Sequence, residues 1–155
     1  MTPSINAIKQ AQVPYKVYEY EHQASCHSYG LEASEKLGLP LEQVFKTLVI
    51  ELDTHELVVA VIPVSHQLNM KALAKAAKAK KAKMAEPSDV ERTTGYVLGG
   101  VSPLGQKKQL RTFIDSSANN FTTIFVSAGR RGLEIEISPD DLIYLAGANK
   151  AQIGH

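Results

Sequence analysis

Residues 44 to 63 read VFKTLVIELDTHELVVAVIP. Two apolar runs, rich in β-branched residues, flank the polar triplet Asp53, Thr54 and His55. That pattern predicts an antiparallel hairpin over 44–62. Strand side chains alternate between faces, so Phe45, Thr47 and Val49 share one face, and Val44, Lys46, Leu48 and Ile50 share the other. Lys46 thus stands among aliphatic neighbours, where an ammonium without an anion is costly to desolvate. Three readings are open for it. It snorkels at a sheet edge. It floors a pocket and meets a substrate anion. Or burial depresses its pKa and makes it a base.

Outward from the hairpin, residues 3–12 suit a short helix capped by Thr2 or Ser4, and YKVYEY, 15–20, alternates as a strand. GLEASEKLGL, 30–39, reads as a helix closed by Gly38 and Pro40. Residues 67–84 are expected to form one basic helix with Met70, Leu73, Ala77 and Met84 on its inner face. SDVERTTG, 88–95, reads as a short helix, and GYVLGGVSPLGQKK, 95–108, as a loop. TFIDSS, TTIFVSAG and GLEIEIS give three further strands. Ser138, Pro139, Asp140 and Asp141 start a last helix with a cap, a first-turn proline and two acids at the positive end of the dipole. Without a βαβ rhythm, these elements predict one α+β domain over 1–155 with a mixed, largely antiparallel, barrel-like sheet and flanking helices, with closure of that sheet left open.

At 155 residues the chain is long enough for one domain with a real core. With 44% hydrophobic and 21% charged residues the composition is globular, and no apolar run reaches the roughly 20 residues of a membrane helix. MTPSINAIKQ lacks a basic stretch leading into an apolar one, so no secretory signal is expected. The single cysteine, Cys26, forms no internal disulfide, which fits a cytoplasmic location.

The net charge of +1 conceals an asymmetry. MKALAKAAKAKKAKM, 70–84, holds six lysines and no acid, while the other eleven basic residues face all sixteen acidic ones. Concentrated positive charge points to a polyanionic partner, or to a solvated helix whose lysines serve solubility. Cys26 precedes His27, but neighbours on an extended segment point apart and no nucleophile signature surrounds them. His22, Cys26 and His27 lack the paired ligand spacings of a zinc site, so neither metal nor cofactor is expected. His55 and His66 read as surface loop residues. GGVSPLG, 99–105, is a glycine loop whose amides either cradle an anion or simply reverse the chain, and SAGRRG, 127–132, is a Ser/Gly turn that either binds anions or is a hairpin with two solvated arginines.

VFKTLVIE, AVIPVSHQLNMKALAKA, TGYVLGGVSPLGQKK, FIDSSA and FVSAGRRGLEIEISPDDL, in this order, carry a resemblance along nearly the whole chain. The sequence resembles the YbaK family, free-standing relatives of the editing domain of bacterial prolyl-tRNA synthetases. Within it, the Cys-tRNA(Pro) deacylase branch is the more similar one. The resemblance implies removal of cysteine from mischarged tRNA(Pro), with Cys-tRNA(Cys) as a second candidate substrate, and with the substrate's own thiol attacking its ester to give a thiolactone. It implies that Lys46 anchors the terminal adenosine or its phosphate, that Tyr20 lines the aminoacyl pocket, that Gly99 and Gly100 offer backbone groups near the ester, and that Ser127 hydrogen-bonds substrate. Tyr29 would be a pocket wall, and Lys71, Lys75, Lys78, Lys107 and Lys108, with Arg111, the tRNA backbone surface. Prolyl-tRNA synthetase is the implied protein partner, and no membrane is involved. Two alternatives stand beside this: hydrolytic editing of Ala-tRNA(Pro), and a non-catalytic tRNA- or nucleotide-binding module.

Overall fold

The computed structural model describes residues 1–23 and 29–155. The chain runs α1 (Pro3–Ala11), β1 (Lys16–Glu19), α2 (Tyr29–Leu37), β2 (Phe45–Leu52), β3 (Leu57–Pro63), α3 (Met70–Ala76) and β4 (Ala82–Met84). It continues with α4 (Pro87–Thr94), β5 (Arg111–Asp115), a 3₁₀ turn (Ser116–Asn120), β6 (Ile124–Ser127), β7 (Leu133–Ile137), α5 (Pro139–Ala146) and β8 (Asn149–Ala151). The expected hairpin is β2 and β3, antiparallel with Lys46 opposite Ile62. The caps fall where short polar side chains stand beside proline. Thr2 Oγ1 accepts from the Ile5 amide, and Ser138 Oγ from the Asp141 amide.

The α+β class holds, with a difference in closure. The strands form two sheets, β4-β2-β3-β5-β8 and β1-β7-β6. Only β3–β5 and β5–β8 pair in parallel. The sheets meet at one bridge, Val44 to Phe125, with the Phe125 amide donating to Gln43. They do not close into a barrel. Between them lies the main core. Phe45, Val49, Val59 and Val61 face Ile124, Val126, Ile135 and Ile137 across it. On the other face of the large sheet, Ile50, Leu52, Val58, Ala60 and Ile62 pack on Leu73 and Ala77 of the α3 segment. The alternation inferred for β2 is therefore the one that separates its two cores.

The basic segment departs from expectation. α3 ends at Ala76, Lys78 turns left-handed at φ 61°, and residues 82–84 become β4 against Ile50–Leu52. Good helix formers lose here to tertiary pairing. The Asp53 carboxylate collects the Lys80 and Lys81 amides at 3.0 and 3.1 Å, and the β2 edge offers a ladder. A continuous helix would also have stacked six unpaired ammoniums at helical spacing. Met84 consequently lies half-exposed on a strand, not on a helix's inner face.

Candidate active site

β4 covers only the far half of β2. Ala85 N–H donates to the Val49 carbonyl, and beyond that point β2 has an open edge. A cavity of about 590 Å³ lies against it, and five consecutive residues, Phe45 to Val49, line it. A strand presents consecutive residues to one cavity only at a free edge, since its faces carry alternate residues. The opposite wall is the outer face of the small sheet. Cross-strand register aligns Tyr18, Glu134 and Ser127 on that face, and Tyr20 continues it, its amide donating to the Gly132 carbonyl. The volume suits a nucleoside-sized ligand.

Lys46 is half-buried in this cavity, and desolvation holds its pKa below the usual lysine value. Among the described residues no carboxylate pairs with it. Thr47 Oγ1, also in the wall, is the one buried side-chain polar atom among the described residues with no hydrogen-bond partner. Glu134 is 7% exposed, and burial pushes its carboxyl up to about 8. At neutral pH it carries a proton, so it enters the cavity as a neutral donor and acceptor. Ser127 Oγ accepts from the Gly129 amide at 3.2 Å, which leaves its O–H to donate.

The mouth is a clasp. Arg131 donates through Nε and Nη2 to the Leu98 carbonyl at 3.1 and 2.6 Å. Its guanidinium lies 4.3 Å from the centre of the Tyr29 ring. The ring in turn covers Gly99, which sits at φ 85°, and a Cβ there would fall 2.4 Å from ring carbons. Only glycine fits both the angle and the contact. Tyr29, Leu98, Gly99 and Arg131 thus hold one another at the rim.

Five expected site residues therefore meet in one cavity: Lys46, Tyr20, Tyr29, Gly99 and Ser127. Gly100 does not share this placement. Its amide donates to the Val97 carbonyl, and its α-carbon packs on the Arg130 backbone, so it closes the turn and offers no donor to the cavity. His66, read as a surface residue, is partly buried in the cavity wall, while His55 is exposed as expected. His22 bonds Glu32 at 2.6 Å, which ties β1 to α2. Cys26 and His27 lie outside the described residues. Among the described residues no three His, Cys, Asp or Glu side chains gather as metal ligands. Lys71 and Lys75 are exposed on α3 and Lys78 just beyond it, and Lys107 and Lys108 line a second cleft with Arg111.

The sequence reading missed Glu134 and Thr47, and for Arg131 it offered an anion contact or solvation but not the bond to the Leu98 carbonyl. The alternation of LEIEI did signal that Glu134 faces away from the main core. Nothing local signalled that a cavity wall covers it.

Comparison with known proteins supplies the family. Residues 24–145 match the family described as the aminoacyl-tRNA editing domain. A protein of Enterococcus faecalis named "Putative Cys-tRNA(Pro)/Cys-tRNA(Cys) deacylase EbsC" is 40% identical over 152 residues, covering 98% of this chain and 92% of that protein. The uncharacterized protein YwhH of Bacillus subtilis is 28% identical over 72% of this chain and 70% of its own. A solved structure described as a putative trans-editing enzyme for prolyl tRNA synthetase superposes with a TM-score of 0.85 at 22% identity, over 100% of this chain and 99% of that one, and so shares the fold. On the family match and the Enterococcus relative together, the chain belongs to the aminoacyl-tRNA editing domain family.

Proposed function

We propose that this protein is a free-standing editing deacylase that removes cysteine from Cys-tRNA(Pro). The observation that carries the reading is Lys46: an ammonium held half-desolvated in a nucleoside-sized cavity, with no carboxylate partner among the described residues, in a chain of the editing family. Such a group is satisfied by a ligand anion. A phosphate beside the terminal adenosine supplies that anion and keeps Lys46 protonated, so it serves as an anchor and not as a base.

In this proposal the substrate provides the nucleophile. The cysteinyl sulfur attacks its own ester carbonyl, the new S–C bond forms, and the C–O bond to the ribose breaks. The thiol proton passes to the departing ribose oxygen, giving a cyclic thiolactone and free tRNA. The protein's share is to hold sulfur and carbonyl in contact and to place donors at the oxygen where charge develops. The Ser127 hydroxyl, the protonated Glu134 carboxyl and the Gly99 backbone line the cavity for that work. Thr47 Oγ1 offers a further unspent hydrogen bond to the aminoacyl group.

tRNA is the partner in this reading, with tRNA(Pro) identity lent by prolyl-tRNA synthetase, and the setting is the cytoplasm. None of the described helices is long and apolar enough to cross a membrane. The test compares Cys-, Ser- and Ala-tRNA(Pro) under single turnover. Cleavage of the cysteinyl ester alone supports the substrate-thiol route. Equal rates for all three mean an activated water and overturn it. Protection of all three esters means a binding module.

A further inference from the structure

Two basic stretches that lie apart in the sequence converge at the turn of the β2–β3 hairpin. From one side, the segment after α3 wraps the turn: Asp53 N–H donates to the Lys81 carbonyl, and the Asp53 carboxylate takes the Lys80 and Lys81 amides. From the other side, the loop before β5 is pinned to the end of α4 by Lys107 and Lys108 amides on the Thr94 and Thr93 carbonyls. Arg111 joins the two halves. It grips Glu56 with two bonds of 3.1 and 2.9 Å and donates to the Ala77 carbonyl at 3.1 Å. On the side of the loop before β5 lies a second cleft of about 590 Å³, lined by Leu57 and Leu110 and edged by Arg92, Lys107 and Lys108.

Four of the acids nearby are already engaged. Glu56 is held by Arg111, Asp89 by Arg92 at 2.6 Å, Glu51 by His55 at 3.2 Å, and Asp53 by backbone amides. The exposed lysines 78, 80, 81, 107 and 108 make no ion pair among the described residues. This end of the sheet therefore presents unpaired ammoniums around a groove. Lys46 to the hairpin turn at Asp53 is seven residues of extended chain, about 23 Å. α3 runs beside that path with Lys71 and Lys75 one turn apart and exposed.

We propose that this hairpin end is the docking surface for the duplex backbone of an RNA whose unpaired 3′ terminus occupies the Lys46 cavity. The inference rests on the deacylase reading and adds where the stem lies. Lysines on two separate loops at one end of the sheet suit phosphates on a backbone and carry no base recognition. The cleft is thus a site for general tRNA affinity, and discrimination between tRNAs lies elsewhere.

The test removes each half in turn, as Lys107→Gln/Lys108→Gln and Lys80→Gln/Lys81→Gln, and measures uncharged tRNA binding across salt concentrations. Each pair removes two phosphate contacts, so the slope of log K against log salt falls by about 1.8, and affinity near 0.15 M salt drops on the order of 30-fold. Turnover of a cysteinylated CCA trinucleotide, which has no duplex, stays at the wild-type level. An unchanged slope overturns the proposal. So does an equal loss on the trinucleotide, which places the lysines' effect at the cavity or in folding. Because the binding arm uses uncharged tRNA, it stands or falls independently of whether the protein deacylates.

Discussion

Replacing Lys46 by methionine keeps the aliphatic stem and deletes the ammonium. The structure makes opposite demands of that group for stability and for activity. In the free protein its charged head is partly desolvated and meets no carboxylate among the described residues, so burial lowers its pKa. A lysine whose folded pKa lies below its unfolded one binds fewer protons folded than unfolded in the window between the two values. Stability then rises with pH through that window. Lys46→Met removes this slope, and at pH 7 the variant is as stable as the parent or more so. For a domain of this size each kcal/mol gained appears as a rise of roughly 2–4 °C in Tm. With substrate, the lost partner of a charge-assisted bond costs about 2–4 kcal/mol, or 30- to 1,000-fold in kcat/KM. The assay pairs thermal unfolding at pH 7 and pH 10 with steady-state deacylation of Cys-tRNA(Pro). A folded Lys46→Met variant with near-parental kcat/KM refutes the anchor and leaves Lys46 as a snorkelling side chain.

Three further outcomes are expected. Glu134→Gln keeps the shape of the neutral carboxyl. A buried acid raised to about 8 retains its proton folded while the unfolded chain has lost it above about 4.5, so parental stability falls as pH rises between these values and the variant's does not; urea titrations at pH 5 and 8 read this. Gly99→Ala places a methyl 2.4 Å from the Tyr29 ring at φ 85° and costs about 1–3 kcal/mol, with at least a tenfold loss of kcat/KM; adding Tyr29→Ala recovers part of the stability, and strict additivity would contradict the clasp. Cys26→Ser is near-silent in single-turnover rate, and a large loss in a folded variant would return the nucleophile to the protein.

The hairpin was legible because its pattern is local: alternation, length and a polar turn lie within twenty residues. α5 was legible for the same reason, since Ser138, Pro139 and Asp140 all act within one turn. The segment 77–84 was not. Its composition favours helix, and the groups that overrule it, Asp53 and the β2 edge, come from 27 to 34 residues away. Closure of the sheet was not legible because strand count and direction leave open how two sheets meet, and among the described residues they meet at a single bridge.

The site divides in the same way. Lys46 was visible as a misfit within its own strand. Glu134 looked like any solvated acid on an alternating strand, because the cavity it lines is assembled from elements distant in sequence. The Tyr29–Gly99 contact joins residues seventy positions apart, so the glycine's angle was suggested by the loop and its ring neighbour was not. Gly100 shares Gly99's letter but spends its amide on Val97, a difference only the turn's hydrogen bonds reveal.

The most direct measurement is the identity of the released product. Purified protein with Cys-tRNA(Pro) and a chelator, quenched through the first turnover and analysed by mass, should give cysteine thiolactone ahead of free cysteine, with Ala-tRNA(Pro) left intact. Free cysteine as the first product in H₂¹⁸O, bearing the label in its carboxylate from the earliest time point, together with release of alanine, would contradict the account.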